Sequence, residues 1–162
     1  IRKNSSFCSF FSRMRRGYLY STAQEQGYNK VALGHHLDDA MESFFMNFFY
    51  NGTMRSMPPI YKAENGLEVI RPLIFCRERQ LRAFADTNEI NVIGDEACPG
   101  LRFDVKMPHA RQSTKELLAK LEEENPKIFV SMKAAFSNIQ LSTFFNKDDL
   151  KTIESSFEDD MI

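Results

Sequence analysis

The segment Val31-Ala32-Leu33-Gly34-His35-His36-Leu37-Asp38-Asp39 constrains this chain more than any other. Three apolar residues stop at a glycine and hand over to two imidazoles and two carboxylates. A short buried strand delivers polar groups into the start of a helix in this way, and in an open α/β sheet ligands bind at such carboxyl ends of strands. Carboxylates there can hold Mg²⁺ beside phosphates, and a histidine can hydrogen-bond a nucleotide or polarise a carbonyl. The same letters have a local use: Asp39 and Glu42 stand at the N-cap to N3 spacing of a capping box. Capping and chemistry are compatible, and spacing alone leaves both open. A zinc site is disfavoured, because His35 and His36 are adjacent and point apart.

The flanking sequence predicts a layered α/β domain. Phe7, Phe10, Phe11, Met14 and Tyr18 recur at helical spacing, and Gly27 is a plausible stop for a helix over about 9–26. Lys30 to Leu33 reads as a strand. Residues 38–50 read as a helix whose Met41, Phe45, Phe48 and Phe49 supply core, ended by Asn51-Gly52. Two consecutive prolines, Pro58 and Pro59, make 53–66 a loop. Leu67 to Ile70 is the next strand, 77–88 a helix with Leu81, Phe84 and Ala85 inward, and Ile90 to Ile93 a further strand. This alternation argues for a parallel sheet flanked by helices. No period is visible from 94 to 110. Beyond it, Ser113 with Glu116 forms a capping box for a helix to about 124, and Pro126 opens another carrying Phe129, Met132, Phe136 and Ile139. We divide the chain into a main domain at 1–140, helical at its end, and a C-terminal helix with an acidic tail at 141–162.

With 162 residues, 43% hydrophobic and 27% charged, the chain can bury one sizeable core. The Phe-rich run from Phe44 to Tyr50 is too short and amphipathic to span a membrane, and nothing resembles a signal peptide. Three widely spaced cysteines form no disulfide framework, so a cytoplasmic location is expected. The chain opens on Ile1 rather than on an initiator Met, which implies the later part of a longer protein. A net charge of −1 hides an asymmetry: Arg2, Lys3, Arg13, Arg15 and Arg16 crowd the start, whereas Glu154, Glu158, Asp159 and Asp160 crowd the end. The cluster Arg13, Arg15, Arg16 with Tyr18 and Tyr20 has the charge and aromatic mix of an RNA-binding surface, although a solvated helix face reads the same way. Cys8, Cys76 and Cys98 each read as small buried hydrophobes, with Cys8, near Arg13, the better candidate for a reactive thiolate.

Taken together, Cys8-Ser9-Phe10-Phe11-Ser12-Arg13-Met14-Arg15-Arg16-Gly17, Gly34-His35-His36-Leu37-Asp38-Asp39, Met57-Pro58-Pro59, Arg71-Pro72-Leu73 and Cys98 resemble, in order and spacing, the PP-loop ATPase family. Within it they resemble the group that makes 2-thiocytidine in tRNA, and the likeness spans about 8–140. The resemblance implies a Rossmann-like nucleotide-binding sheet and an enzyme that adenylates a tRNA base with ATP and Mg²⁺, releases pyrophosphate and replaces the activated oxygen with sulfur. It assigns Gly34, His35, His36, Asp39 and Arg71 to the nucleotide, Asp38 and Asp39 with Cys8 and Cys98 to catalysis, and Arg13, Arg15 and Arg16 to tRNA. It also implies a [4Fe-4S] cluster held by a Cys-x-x-Cys before the basic helix and a later Cys, here Cys8 and Cys98. A sulfur donor such as a cysteine desulfurase, and a homodimer, complete the implied partners.

Two departures bear on this. The family's Ser-Gly-Gly-x-Asp-Ser phosphate loop occurs nowhere in the chain, so the chain by itself is not expected to turn over ATP. Phe11 stands where the second Cys of the Cys-x-x-Cys would be, which leaves the cluster ligand set incomplete. Two alternatives follow: a PP-loop ATPase similar to tRNA(Ile)-lysidine synthetase, which needs no cluster, or an RNA-binding module that kept the fold and lost catalysis.

Overall fold

A computed structural model describes residues 7–93 and 109–144. The chain divides into two compact units, 1–128 and 129–162. The first holds helices α1 (Phe7–Glu25), α2 (Leu37–Asn51), α3 (Glu78–Thr87) and α4 (His109–Glu124), with strands β1 (Lys30–Ala32), β2 (Ile60–Lys62) and β3 (Glu68–Ile70). Helix α5 (Ile128–Ala135) begins at the boundary, and a 3₁₀ turn at Leu141–Thr143 belongs to the second unit.

The three strands form one sheet in the order β1-β3-β2. β1 and β3 run parallel, with Val31 opposite Val69, and β2 and β3 run antiparallel, with Tyr61 opposite Val69. The sheet is therefore mixed. The segment 53–66 is not all loop: the prolines stay out of the ladder, but Ile60-Tyr61-Lys62 immediately after them pairs with β3. The hairpin closes at Gly66, whose φ of +89° lies where a side chain is strained and glycine is not. Ile90 to Ile93 form no strand. Ile90 instead donates its N–H to Ala85 O as α3 unwinds, and Val92 and Ile93 lie exposed.

Period-two alternation places Val31, Val69 and Tyr61 on one sheet face, and α1 lies against β1. The Tyr20 hydroxyl of α1 meets the Tyr61 hydroxyl at 2.7 Å, and Gln24 Nε2 donates to Asn65 O. Burial of Tyr20 and its bond to Tyr61 push its pKa up to about 12. The opposite face carries the Lys30–Glu68 ion pair. Of the apolar positions expected on one stripe of α1, Phe11, Met14 and Tyr18 are exposed and Phe10 is half-buried, and α1 ends as expected at Gly27.

Among the described residues of the first unit, the buried ones are Leu37, Ala40, Met41 and Glu42 of α2, Leu67, Val69 and Arg71 at β3, Ile74, and Thr114 and Leu118 of α4. Met41 is core as expected. Phe48 and Phe49 are not, at 47% and 52% exposed. They stand one turn beyond Phe44 and Phe45, and the four rings stack on one another along the helix rather than under it. Phe84 is likewise exposed, and α3 buries no residue.

Three helix starts differ from expectation. α2 is capped by His36, not Asp39: Asp39 N–H donates to His36 Nδ1 at 3.4 Å, and His36 N–H donates to Asp39 Oδ2 at 3.1 Å. α4 begins at His109, so Ser113 and Glu116 lie inside it. Pro126 sits in the turn before α5, not in its first position.

Candidate functional site

The carboxyl ends of the parallel pair bring the sequence motifs together. Leu33 N–H donates to Ile70 O at 2.9 Å, which sets Gly34 and His35 beside Arg71 across the two strand ends. A Cβ built at Gly34 meets no atom within 4 Å, so the space beside this turn is open. Arg71 is buried and joins two motifs physically: its N–H donates to Pro59 O at 2.8 Å and its Nη1 to Pro58 O at 2.6 Å. Its guanidinium also lies 5.2 Å from the centre of the Tyr61 ring, a cation–π contact. Met57-Pro58-Pro59 and Arg71-Pro72-Leu73 thus hold each other in place.

Two nitrogens here are buried and unbonded among the described residues: His35 Nδ1 and Arg71 Nε. Buried polar atoms are normally satisfied, so an orphan on each of two neighbouring strand ends needs an explanation. Burial, then the positive charge of Arg71, pushes the His35 pKa down, which keeps the imidazole neutral at pH 7. Arg15 and Arg111 act in the same direction and Asp39 opposes them. The orphans and the surrounding cations suit an anionic, hydrogen-bonding ligand such as a nucleotide.

The carboxylates are differently placed. Asp38 Oδ2 accepts the Glu78 N–H at 2.7 Å, which caps α3, and Asp38 also pairs with Arg77 through Nε at 3.1 Å and Nη2 at 3.1 Å. Arg77 reaches on to Glu122 of α4 with bonds of 2.6 and 2.8 Å. Asp39 holds the His36 N–H and, through Oδ1, Arg111 Nη2 at 2.9 Å. Glu42, expected in a capping box, accepts from Arg111 Nε at 2.8 Å. Lys115 and Glu78 add a bridge at 3.3 Å. Helix α4 is thereby fastened to the starts of α2 and α3, and α2 is further tied by the Leu37 N–H bond to Cys76 O at 2.8 Å.

Among the expected site residues, Gly34, His35, His36, Asp38, Asp39 and Arg71 converge. Arg13, Arg15 and Arg16 are exposed on α1. Cys8 belongs to the first turn of α1 with its side chain outside the described residues, and Cys98 lies outside them altogether. Arg77, Arg111 and Glu122 were missed. Arg111 lies 72 residues from Asp39, and only the charged flank of α4 beside its apolar positions hinted at a partner.

The donor sets bear on the implied metals. Among the described residues, no group of three or more His, Cys, Asp or Glu could hold a metal ion, and the Phe11 ring supplies no thiolate. Asp38 and Asp39 are each bound to a guanidinium, so neither offers a cation two free oxygens. As paired here, Asp38 and Asp39 do not fit Mg²⁺, and the two candidate cluster thiolates, those of Cys8 and Cys98, lie outside the described residues.

No helix among the described residues is long and apolar enough to cross a membrane. The chain is 40% identical over 149 residues to a tRNA-cytidine(32) 2-sulfurtransferase of Coxiella burnetii, covering 91% of this chain and 56% of that relative. It is 43% identical over 141 residues to the protein of that name from Geobacter metallireducens, covering 86% and 53%. The chain spans about half the length of the curated relatives it matches. The U34-tRNA thiolase NcsA from Methanococcus maripaludis, solved with its [4Fe-4S] cluster, shares the fold: TM-score 0.68 and 21% identity over 91% of this chain and 48% of that one. The model of the PP-loop domain matches residues 11–107, more than half of the sequence, and the chain belongs to that family.

Proposed function

We propose that this chain is part of an ATP-dependent tRNA sulfurtransferase acting on a cytidine, a cytoplasmic enzyme of the PP-loop ATP pyrophosphatase class. The observation that carries the proposal is the pair of orphaned nitrogens, His35 Nδ1 and Arg71 Nε, at the ends of the two parallel strands beside an open glycine turn. The names of the sequence relatives support the substrate class. In the reaction the cytidine C2 oxygen attacks the α-phosphorus of ATP and pyrophosphate leaves. The terminal sulfur of a persulfide, supplied by a donor such as a cysteine desulfurase, then attacks C2, AMP departs with the former oxygen, and a thiol reductant cleaves the remaining S–S bond by thiol–disulfide exchange to leave the thiocarbonyl.

This chain's residues have separable roles. Neutral His35 and the Arg71 Nε–H hydrogen-bond the nucleotide, with His36 and Asp39 fixing the first turn of α2 beneath it. Asp38 sets where α3 begins. Arg13, Arg15 and Arg16 contact tRNA phosphates from the exposed side of α1, and Cys8 and Cys98 serve the sulfur step. The test is tRNA-dependent pyrophosphate release by the full-length protein. Asp39→Ala lowers it at least about tenfold, equivalent to about 1.4 kcal/mol in barrier, while the protein stays folded. Wild-type turnover in a folded Asp39→Ala protein refutes the assignment.

A further inference from the structure

Two adjacent carboxylates open α2, and their surroundings divide them. Asp38 accepts the first N–H of α3 and is clamped by Arg77, so its place is set by the frame of the domain. Asp39 has one oxygen on its own helix, at the His36 N–H, and the other directed at Arg111. The Asp39 Oδ2 oxygen is thus placed by its own N-cap residue, with His36 Nε2 also 3.3 Å away, whereas Oδ1 is placed from α4 by Arg111.

Arg111 is itself anchored. Its planar fork spans two acids, Nε to Glu42 Oε2 at 2.8 Å and Nη2 to Asp39 Oδ1 at 2.9 Å. The Glu42 side chain is only 6% exposed, whereas that of Arg111 is 60% exposed. The buried acid fixes one arm, and the guanidinium plane then dictates where the other arm meets Asp39, a constraint that an ammonium cannot impose. Glu42 and Asp39 lie three residues apart on one face of α2, so both reach the single arginine from α4.

We propose that Arg111 is a positioning residue for the adenylation step: from α4 it holds the Asp39 carboxylate in the orientation that the nucleotide meets. This rests on the sulfurtransferase reading above. It makes α4 part of the site although no motif marks it, with Glu42 supporting Arg111 from beneath.

The experiment compares full-length wild type, Arg111→Lys, Arg111→Gln and the double variant Arg111→Gln with Glu42→Gln. Thermal melting reports the frame, and kcat and KM for ATP in tRNA-dependent pyrophosphate release report the site. Arg111→Gln leaves Glu42 buried and unpaired, so its Tm falls. Removing the Glu42 charge as well restores Tm. The expected signature is that kcat is not restored with it: both variants lose about tenfold or more in kcat with KM for ATP changed less than about threefold, since small misplacements at a reacting centre cost up to ~100-fold. Arg111→Lys falls between, because it keeps the charge and loses the fork. A double variant that regains wild-type Tm and wild-type kcat together makes Arg111 structural only and overturns the proposal, as does wild-type kcat in Arg111→Gln. A wild-type protein that releases no pyrophosphate with tRNA overturns the sulfurtransferase reading and this inference with it, a result distinct from equal activities.

Discussion

Replacing Arg77 with Met keeps most of the side-chain volume and removes the charge that joins α2, α3 and α4. Arg77 forms a two-pronged bond to Glu122 at 2.6 and 2.8 Å and a second set of hydrogen bonds to Asp38. The two acids do not suffer equally. Asp38 keeps the Glu78 N–H at 2.7 Å, whereas Glu122 keeps, among the described residues, Arg79 at 3.3 Å, a largely exposed partner. Breaking a fully buried pair costs about 3–5 kcal/mol and a surface pair contributes about 0–1. The Arg77, Asp38 and Glu122 side chains, at 13%, 14% and 23% exposed, lie between these limits, so the expected loss is about 2–3 kcal/mol at pH 7. The pH dependence carries its own sign. The bond to Arg77 holds the Glu122 pKa below the ordinary carboxylate value, and a depressed folded pKa contributes stability above that value which is lost as pH falls through the folded one. The gap between wild type and Arg77→Met is therefore full at pH 7 and shrinks in acid below the ordinary carboxylate range. Urea unfolding followed by far-ultraviolet circular dichroism at neutral and acid pH measures both. A gap under about 0.5 kcal/mol at pH 7, or one that does not shrink in acid, refutes the reasoning.

Three further outcomes are expected. Because the His35 pKa is depressed by burial and by Arg71, the folded state loses stability as pH falls below the unfolded imidazole value near 6.5, and His35→Gln removes that slope; stability measured across the same window checks it. Converting Arg13, Arg15 and Arg16 to Gln weakens tRNA binding and flattens its salt dependence by roughly 0.7–0.9 in log–log slope for each phosphate no longer neutralised, read from binding isotherms at several salt concentrations. Cys8→Ser and Cys98→Ser in the full-length protein abolish thiolated product but leave pyrophosphate release near wild type, which mass spectrometry of digested tRNA and a phosphate assay separate.

The sequence showed where the site begins because its parts are local. Strand, glycine and polar helix start lie within nine residues, from Val31 to Asp39, although β1 is less buried than its apolar run suggests, with Val31 half-buried beside buried Val69 and Ala32 exposed. Strand β2 escaped notice because three residues after two prolines carry too little pattern, and only the β3 partner makes Ile60-Tyr61-Lys62 a strand. Ile90 to Ile93 has a strand-like composition and, among the described residues, no neighbour to pair with, which composition does not reveal. The α2 cap slipped by one helical turn because histidine is outside the usual set of capping residues, though its Nδ1 accepts as an oxygen would. Arg77 and Arg111 were invisible for a different reason. Their partners lie 39 to 72 residues away, and ion pairs at that separation leave no period in the chain.

The hydroxyl pair of Tyr20 and Tyr61 gives the protein an optical gauge of its own. Tyr20 resists ionisation up to about pH 12 only while α1 is seated on the sheet, because the resistance comes from that burial and from the bond to Tyr61. Phenolate absorbs differently from phenol in the ultraviolet. At about pH 11, where an ordinary tyrosine is largely ionised and Tyr20 is not, early unfolding that lifts the basic helix would register as added phenolate absorbance, with no label attached.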